Sequence, residues 1–212
     1  MSQPCPDQRI PRVVRKHKPK GKITRSNYRK RALPSLLLDF EHRCAYSMLH
    51  EDHAGGRTAM DIDHFDPRGK RKYLQPYENL FLACRHCNGK KSSQWPSPEL
   101  KALGIRFLDC TVESDYGEHI FEDPDSHEVF GVTPAGKYHV RVLDLNADIF
   151  IKHRTLRAQL QIFLSQTPVI VKRGSFAEIS GLVSVMIAQL QLMIPVIPYR
   201  KRYVNGVATT EI

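Results

Sequence analysis

Apolar and polar positions change period several times along this chain. Leu33, Leu36, Leu37 and Phe40 fall at i, i+3, i+4 and i+7, one face of a helix over residues 27–40. Pro34 lies inside that pattern, so the helix is expected to begin at or just before it, since an interior proline lacks the N–H and clashes with the preceding turn. Residues 44–49, 59–65 and 80–83 read as short strands, the first two separated by a polar turn containing Gly55 and Gly56. Residues 66–70 form a turn-rich loop, and a short helix begins near residues 84–88 and carries Lys90, Lys91 and Ser92. Past Pro96 the pattern changes. Ser97 opens a brief helix, and residues 120–121, 129–132 and 138–143 read as strands between Asp, Pro and Gly turns. Asn146 reads as the N-cap of a long helix with Ile149, His153, Leu156, Leu160 and Phe163 on its apolar face. A last helix is expected over residues 175–194. The set is α+β, without internal repeats.

Charge adds a partner to this picture. The net charge is +10 over 212 residues, and all of the excess sits at the start. Residues 1–31 hold eleven Lys or Arg against one acid, Asp7, while the remainder is balanced. Such a basic arm, flexible over residues 1–25, suits a polyanion such as DNA or RNA, and ordering on a phosphate backbone is compatible with disorder in solution. Residues 182–197 are the most apolar stretch. Gln189, Gln191 and Pro195 interrupt it and it is short for a membrane span, so a buried or partner-covered helix is expected, with no membrane role. Five cysteines, an odd number, and no apolar leader at the start point to reduced thiols in the cytoplasm.

The candidate chemistry is concentrated in residues 61–93. Asp61-Ile62-Asp63-His64 pairs a carboxylate with an imidazole, Glu78-Asn79 follows, and Cys84-Arg85-His86-Cys87 runs into Asn88-Gly89-Lys90-Lys91. Hydrolysis of a phosphodiester needs a base for water, a cation for the phosphate charge and a group that orients the base. His64 is the natural base because imidazole titrates near neutrality. Asp63 is a hard oxygen ligand for Mg2+ or Mn2+. Arg68, Lys70 and Arg71, just beyond the catalytic strand, read as a phosphate clamp. Tyr73, Tyr77 and Trp95 are rings that either stack on bases or pack in the core.

In these residues the chain resembles the HNH endonucleases, the ββα-metal nucleases, over roughly residues 43–93. The resemblance implies that Asp63 binds the catalytic metal, His64 is the general base, Asn79 holds the loop and orients the base, and Asn88 is a second metal ligand. Lys90 or Lys91 would then lie near a phosphate. It further implies a division into a basic arm over 1–25, an HNH nuclease core over 26–95, and an α+β C-terminal region over 96–212 with partner-docking helices. Members of the family carry structural Zn2+ on two Cys-x-x-Cys pairs. Here Cys84 and Cys87 form one pair, but the other reads Cys44-Ala45-Tyr46-Ser47. A zinc site of Cys44, Cys84 and Cys87 would take His50 or His53 as its fourth ligand; the alternative is three packed thiols and no zinc.

The second half, with His119 to Pro124 and Leu143 to Asn146 ahead of an arginine-bearing helix, is similar to an HNH subgroup found in Septu-type and retron-associated anti-phage systems. That resemblance implies an effector nuclease partnered by an ABC-type ATPase. The rival readings are a stand-alone restriction or homing-type nuclease and a non-catalytic zinc-ribbon module that binds nucleic acid.

Overall fold

The computed structural model describes residues 12–113, 117–171, 176–197, 199–201, 203–204 and 207–208. Of the expected basic arm, residues 1–11 lie outside the described residues. From Val13 onward the same segment is held on the protein. Val13 N–H donates to Cys110 O, Ile23 O accepts from Gln75 N–H, and Arg25 N–H donates to Tyr73 O. Arg15 donates to the Tyr77 and Glu78 carbonyls and lies about 5 Å over the rings of Phe40, Tyr77 and Phe81. The end of the arm nearest the core is therefore a strap.

Asp39 fastens this strap. Its Oδ1 accepts from the Lys16 and His17 N–H groups and faces His17 Nδ1, and its Oδ2 accepts from Tyr77. Burial pushes the carboxyl up, but these hydrogen bonds outweigh it and hold it below the usual carboxylate range.

Helix α1 spans Tyr28–Asp39 and so begins six residues before Pro34, earlier than the sequence pattern suggests. The proline is tolerated because it and Lys30, whose carbonyl loses its partner, both face solvent. Residues 44–49, expected as a strand, form a tight knuckle instead. Cys44 N–H donates to Leu49 O and Met48 N–H to Cys44 O, and only Arg43 and His50 bridge in strand fashion. A four-residue helix α2 (Glu51–Ala54) follows.

Strands β1 (Met60–His64) and β2 (Leu80–Cys84) pair antiparallel, with Met60 opposite Cys84 and His64 opposite Leu80. Helix α3 (Arg85–Lys91) leaves β2 without a linker and packs on both strands. All of β2 is buried, between α1 and α3.

Beyond α4 (Pro98–Ala102), strands β3 (Ile120–Glu122) and β4 (Val129–Gly131) form a second hairpin. Residues 138–143, expected as a strand, belong to helix α5 (Pro134–Val142), capped by Thr133 with Pro134 in its first turn. Its alternating β-branched residues suggest a period of two, yet Ala135, His139 and Leu143 are buried at helical spacing. Gly136 lets α5 sit on the hairpin, since a Cβ there would lie 2.2 Å from His119 O.

Helix α6 (Asp148–Val171) is not capped by Asn146, whose side chain instead pairs with both Val129 N–H and Val129 O. Its expected apolar face is inverted as well. Ile149 and Leu156 are 40% and 42% exposed, whereas Phe150, Arg154 and Arg157 are buried. The two arginines donate to backbone carbonyls and to Glu122, which accepts from Arg157 at 2.6 Å. Helix α7 (Phe176–Leu192) packs along α6. Strands β5 (Tyr203–Val204) and β6 (Val207–Ala208) pair near the end. Arg43 in the knuckle donates to Gln191 O and Met193 O, joining the end of α7 to the ββα unit. No helix among the described residues is long and apolar enough to cross a membrane.

Candidate nuclease centre

The end of β1, the start of α1 and the loop after β1 enclose a cavity of about 870 Å³. Asp63, His64 and Asn88 all border it. Five cations share its lining. Arg25 and Arg29 come from the strap and α1; Arg68, Lys70 and Arg71 come from the loop on the other side. A concave site with this charge is built for an anion.

Asp63 is 4% exposed, and its charge is balanced locally. Its Oδ2 pairs with Lys91 Nζ at 2.9 Å and accepts from the Tyr46 hydroxyl. Burial, and then the Asp63 charge, push the Tyr46 hydroxyl well above its ordinary range, so it stays protonated and donating. Among the described residues only Oδ2 of Asp63 is engaged, while the carboxylate borders the cavity. Lys91 also donates to His64 O at 2.9 Å. It is fully buried, so the expected phosphate contact by Lys91 is not possible; it neutralises a carboxylate instead. Lys90 pairs with Asp144 at 2.9 Å and does not line the cavity.

His64 sits beside Asp63 with Tyr28 edge-on at 5.3 Å. Burial lowers the affinity of its imidazole for a proton, and a hydrogen bond to Gln75 opposes this. The result favours the neutral ring that a general base requires.

Asn88 donates from Nδ2 to Asp61 Oδ2 at 3.2 Å, which leaves its amide oxygen as a ligand atom. Asp63 and Asn88 thus offer two hard oxygens to a divalent cation at a cavity that is otherwise cationic.

Asn79 holds the loop as expected but does not touch His64. Its Oδ1 accepts from Asp66 N–H at 2.7 Å and its Nδ2 donates to Asp66 O at 3.0 Å, pinning the chain as it leaves β1. The side chain that reaches His64 is Gln75, 2.6 Å from Nε2. Arg68 grips Asp66 with its Nε and Nη2 and also borders the cavity. Of the three candidate rings, Tyr77 is core, Tyr73 is 73% exposed, and Trp95 borders the cavity with Lys101 Nζ 4.1 Å from its ring.

Gln75, Arg25, Arg29, Tyr28 and Asp61 were not singled out from the sequence as site residues. Asp61 carried a signal, two positions before Asp63 on a strand, and Arg25 and Arg29 shared in the basic excess of the first 31 residues. Gln75 and Tyr28 reach the centre through folding alone.

The sulfurs of Cys44, Cys84 and Cys87 lie within 4.8 Å of one another in the core, on the opposite end of the β1–β2 hairpin from His64. Cys44 Sγ accepts from the Tyr46 and Ser47 N–H groups, and Ser47 Oγ lies 3.8 Å from Cys84 Sγ. Burial raises the Cys44 thiol, but hydrogen bonds from Cys84, Cys87 and Ser47 bring it well below its ordinary value, while Cys84 is pushed up to about 12. A buried cluster of three thiols at this spacing fits Zn2+. The expected fourth ligand is corrected. His50 caps α2 by accepting from Asp52 N–H, His53 packs edge-on against His153 at 4.8 Å, and neither joins the three cysteines, whereas Ser47 Oγ lies 3.8 Å from Cys84 Sγ.

Compared with known families, residues 42–94 match the model described as HNH endonuclease. The match includes the knuckle, the β1–β2 hairpin and α3, about a quarter of the chain. Neither the curated proteins nor the solved structures contain a match to the chain.

Proposed function

We propose that this protein is a metal-dependent HNH endonuclease that hydrolyses phosphodiester bonds of nucleic acid. The observation that carries the reading is the convergence of Asp63, His64 and Asn88 on one cavity walled by five cations. The family match over residues 42–94 supports the same chemistry.

The four arginines and Lys70 that line the cavity bind the backbone and set its register. His64 accepts a proton from water as the water oxygen bonds to phosphorus and the bond to the leaving oxygen breaks. A Mg2+ or Mn2+ ion on Asp63 and Asn88 would offset charge on the phosphate and the leaving oxygen. Lys91 and Tyr46 keep Asp63 fixed, and Asp61 keeps the Asn88 oxygen available. Zn2+ on Cys44, Cys84 and Cys87 would brace the knuckle against β2 and α3.

Plasmid DNA, single-stranded DNA and structured RNA, each incubated with Mg2+, Mn2+ or EDTA, test the reading and identify the polymer. Wild type should cut only with metal, and His64→Ala should lose about 10²–10⁴-fold in rate while remaining folded. Equal cleavage by both proteins would refute it.

A role as the effector of an anti-phage complex, with an ABC-type ATPase as partner, is a narrower reading. It draws on the similarity of the second half to Septu-type subunits and on exposed apolar residues of α6 and α7, Leu156 and Val185 among them. Recovery of an ATPase with the tagged protein from its native host is the expected result, and recovery of the nuclease alone would count against it.

A further inference from the structure

The hydrogen-bond pattern around Gln75 determines which nitrogen of His64 carries a proton. Gln75 is 3% exposed, and its side-chain nitrogen lies against two backbone carbonyls, Lys72 O at 2.5 Å and Gly69 O at 3.4 Å. Carbonyls only accept, so the NH2 end of the amide must face them. The amide oxygen is thereby directed at His64 Nε2, 2.6 Å away. That oxygen is also only an acceptor, so Nε2 must be the donor. In the neutral ring the lone pair is then on Nδ1. Among the described residues nothing hydrogen-bonds to Nδ1, and the ring borders the cavity.

We infer that Gln75 is a positioning residue that holds His64 as the Nε2–H tautomer, so that Nδ1 is the atom that takes the proton from water. The inference rests on the nuclease reading for its consequence, although the tautomer itself is a property of the resting protein. Gln75 does not touch the reacting atoms. It acts through the ring, as a hydrogen-bonded orienting group does in a Ser-His-Asp site, where the wrong tautomer is costly.

The location of Gln75 makes it rigid. Its N–H donates to Ile23 O, so the residue that orients the base is itself tied to the strap, and the neighbouring pair Thr24 and Leu74 continues that bridge. Gly69, whose carbonyl faces the amide, lies close enough to Asn79 that an added Cβ would meet Asn79 Nδ2 at 2.7 Å. Asn79 thus reaches the base indirectly, by shaping the loop whose carbonyls fix the Gln75 amide.

Nitrogen-15 NMR of the ring nitrogens in histidine-labelled, EDTA-treated protein at a pH where His64 is neutral reads the tautomer without any turnover. Wild type should show His64 wholly as Nε2–H, with an Nε2 proton protected from exchange. Gln75→Met, similar in length but without an acceptor, should let that proton exchange and move both nitrogens toward the values of an unconstrained imidazole. In cleavage assays it should lower kcat about 10²-fold with KM little changed. A wild type protonated on Nδ1 overturns the inference without need of any variant. So does a Gln75→Met protein with an unchanged spectrum. If the spectra behave as stated and no polymer is cut, the tautomer assignment stands and the nuclease reading fails.

Discussion

Two buried charges are held by unlike means, and each makes a separate test. Asp39 gathers two backbone N–H groups and the Tyr77 hydroxyl, all of which lose their acceptor in Asp39→Ala. That substitution should cost about 3 kcal/mol in urea unfolding. Because the folded carboxyl titrates below the unfolded value of about 3.9, its contribution is complete above that pH and is lost as the pH falls through the lower folded value. The gap between wild type and variant should therefore narrow as the pH falls below about 4, and a gap that widened in acid would contradict the assignment. Lys91 is the other case. Lys91→Met leaves the buried Asp63 carboxylate without its cation and should destabilise by about 3 kcal/mol, while adding Asp63→Asn should restore much of the loss. Had Lys91 been a phosphate contact, the single change would weaken binding and leave the melting temperature alone. Residues of the site were legible from the sequence where the chemistry is contiguous, as in Asp63-His64 and Cys84 to Asn88. Lys91 was misread because a lysine beside a motif has the same letter whether it faces phosphate or a buried carboxylate. Gln75 was silent because its role depends on an eleven-residue loop returning to His64.

The individual elements repeat this contrast between local and distant control. Strands β1 and β2 and helices α1, α3 and α7 were legible because apolar spacing and turn residues agree along each of them. Helix α5 was misread since alternating valines mimic a strand, and its Thr133 cap outweighs them. The outward and inward faces of α6 were exchanged because two arginines are buried there by carbonyls that no local pattern announces. Contact between α5 and the β3–β4 hairpin offers a direct check. Gly136→Ala must move the helix away from His119 O, and a melting temperature lowered by several degrees is expected. At the knuckle, Ser47→Cys would supply a fourth thiol next to Cys84. Zinc measured by mass spectrometry after dialysis against a chelator should be retained better by this variant than by wild type, and equal loss from both would count against a zinc site at the three cysteines.

Over the whole molecule, the centre extends beyond the segment that resembles a nuclease. Arg25 and Arg29 precede residue 42, where the family match begins, yet they supply one side of the cationic cavity. Removing both in Arg25→Ala/Arg29→Ala should reduce the slope of log affinity against log salt by about 1.4–1.8, the range from single strands to duplex, with little effect on the melting temperature. An unchanged slope would place the polyanion elsewhere. The charge asymmetry in the sequence pointed to the first 31 residues, but nothing in it distinguished a free arm from a strap that ends beside the cationic cavity.

The route of that strap has a consequence for how the protein is made. Arg25, Thr24 and Ile23 pair with residues 73 to 75, Arg15 reaches Tyr77 and Glu78, and Val13 waits for Cys110. The strap leaves the ribosome first and its anchors leave later, so it closes outward from Arg25 as translation proceeds. At about 5–20 residues per second, roughly 5–20 s separate the emergence of Val13 from that of its partner. During that interval the nascent chain carries His64 before its surroundings are complete, and the cationic cavity that the ring borders has its full lining only once Ser92, Ser93 and Trp95 have been synthesised.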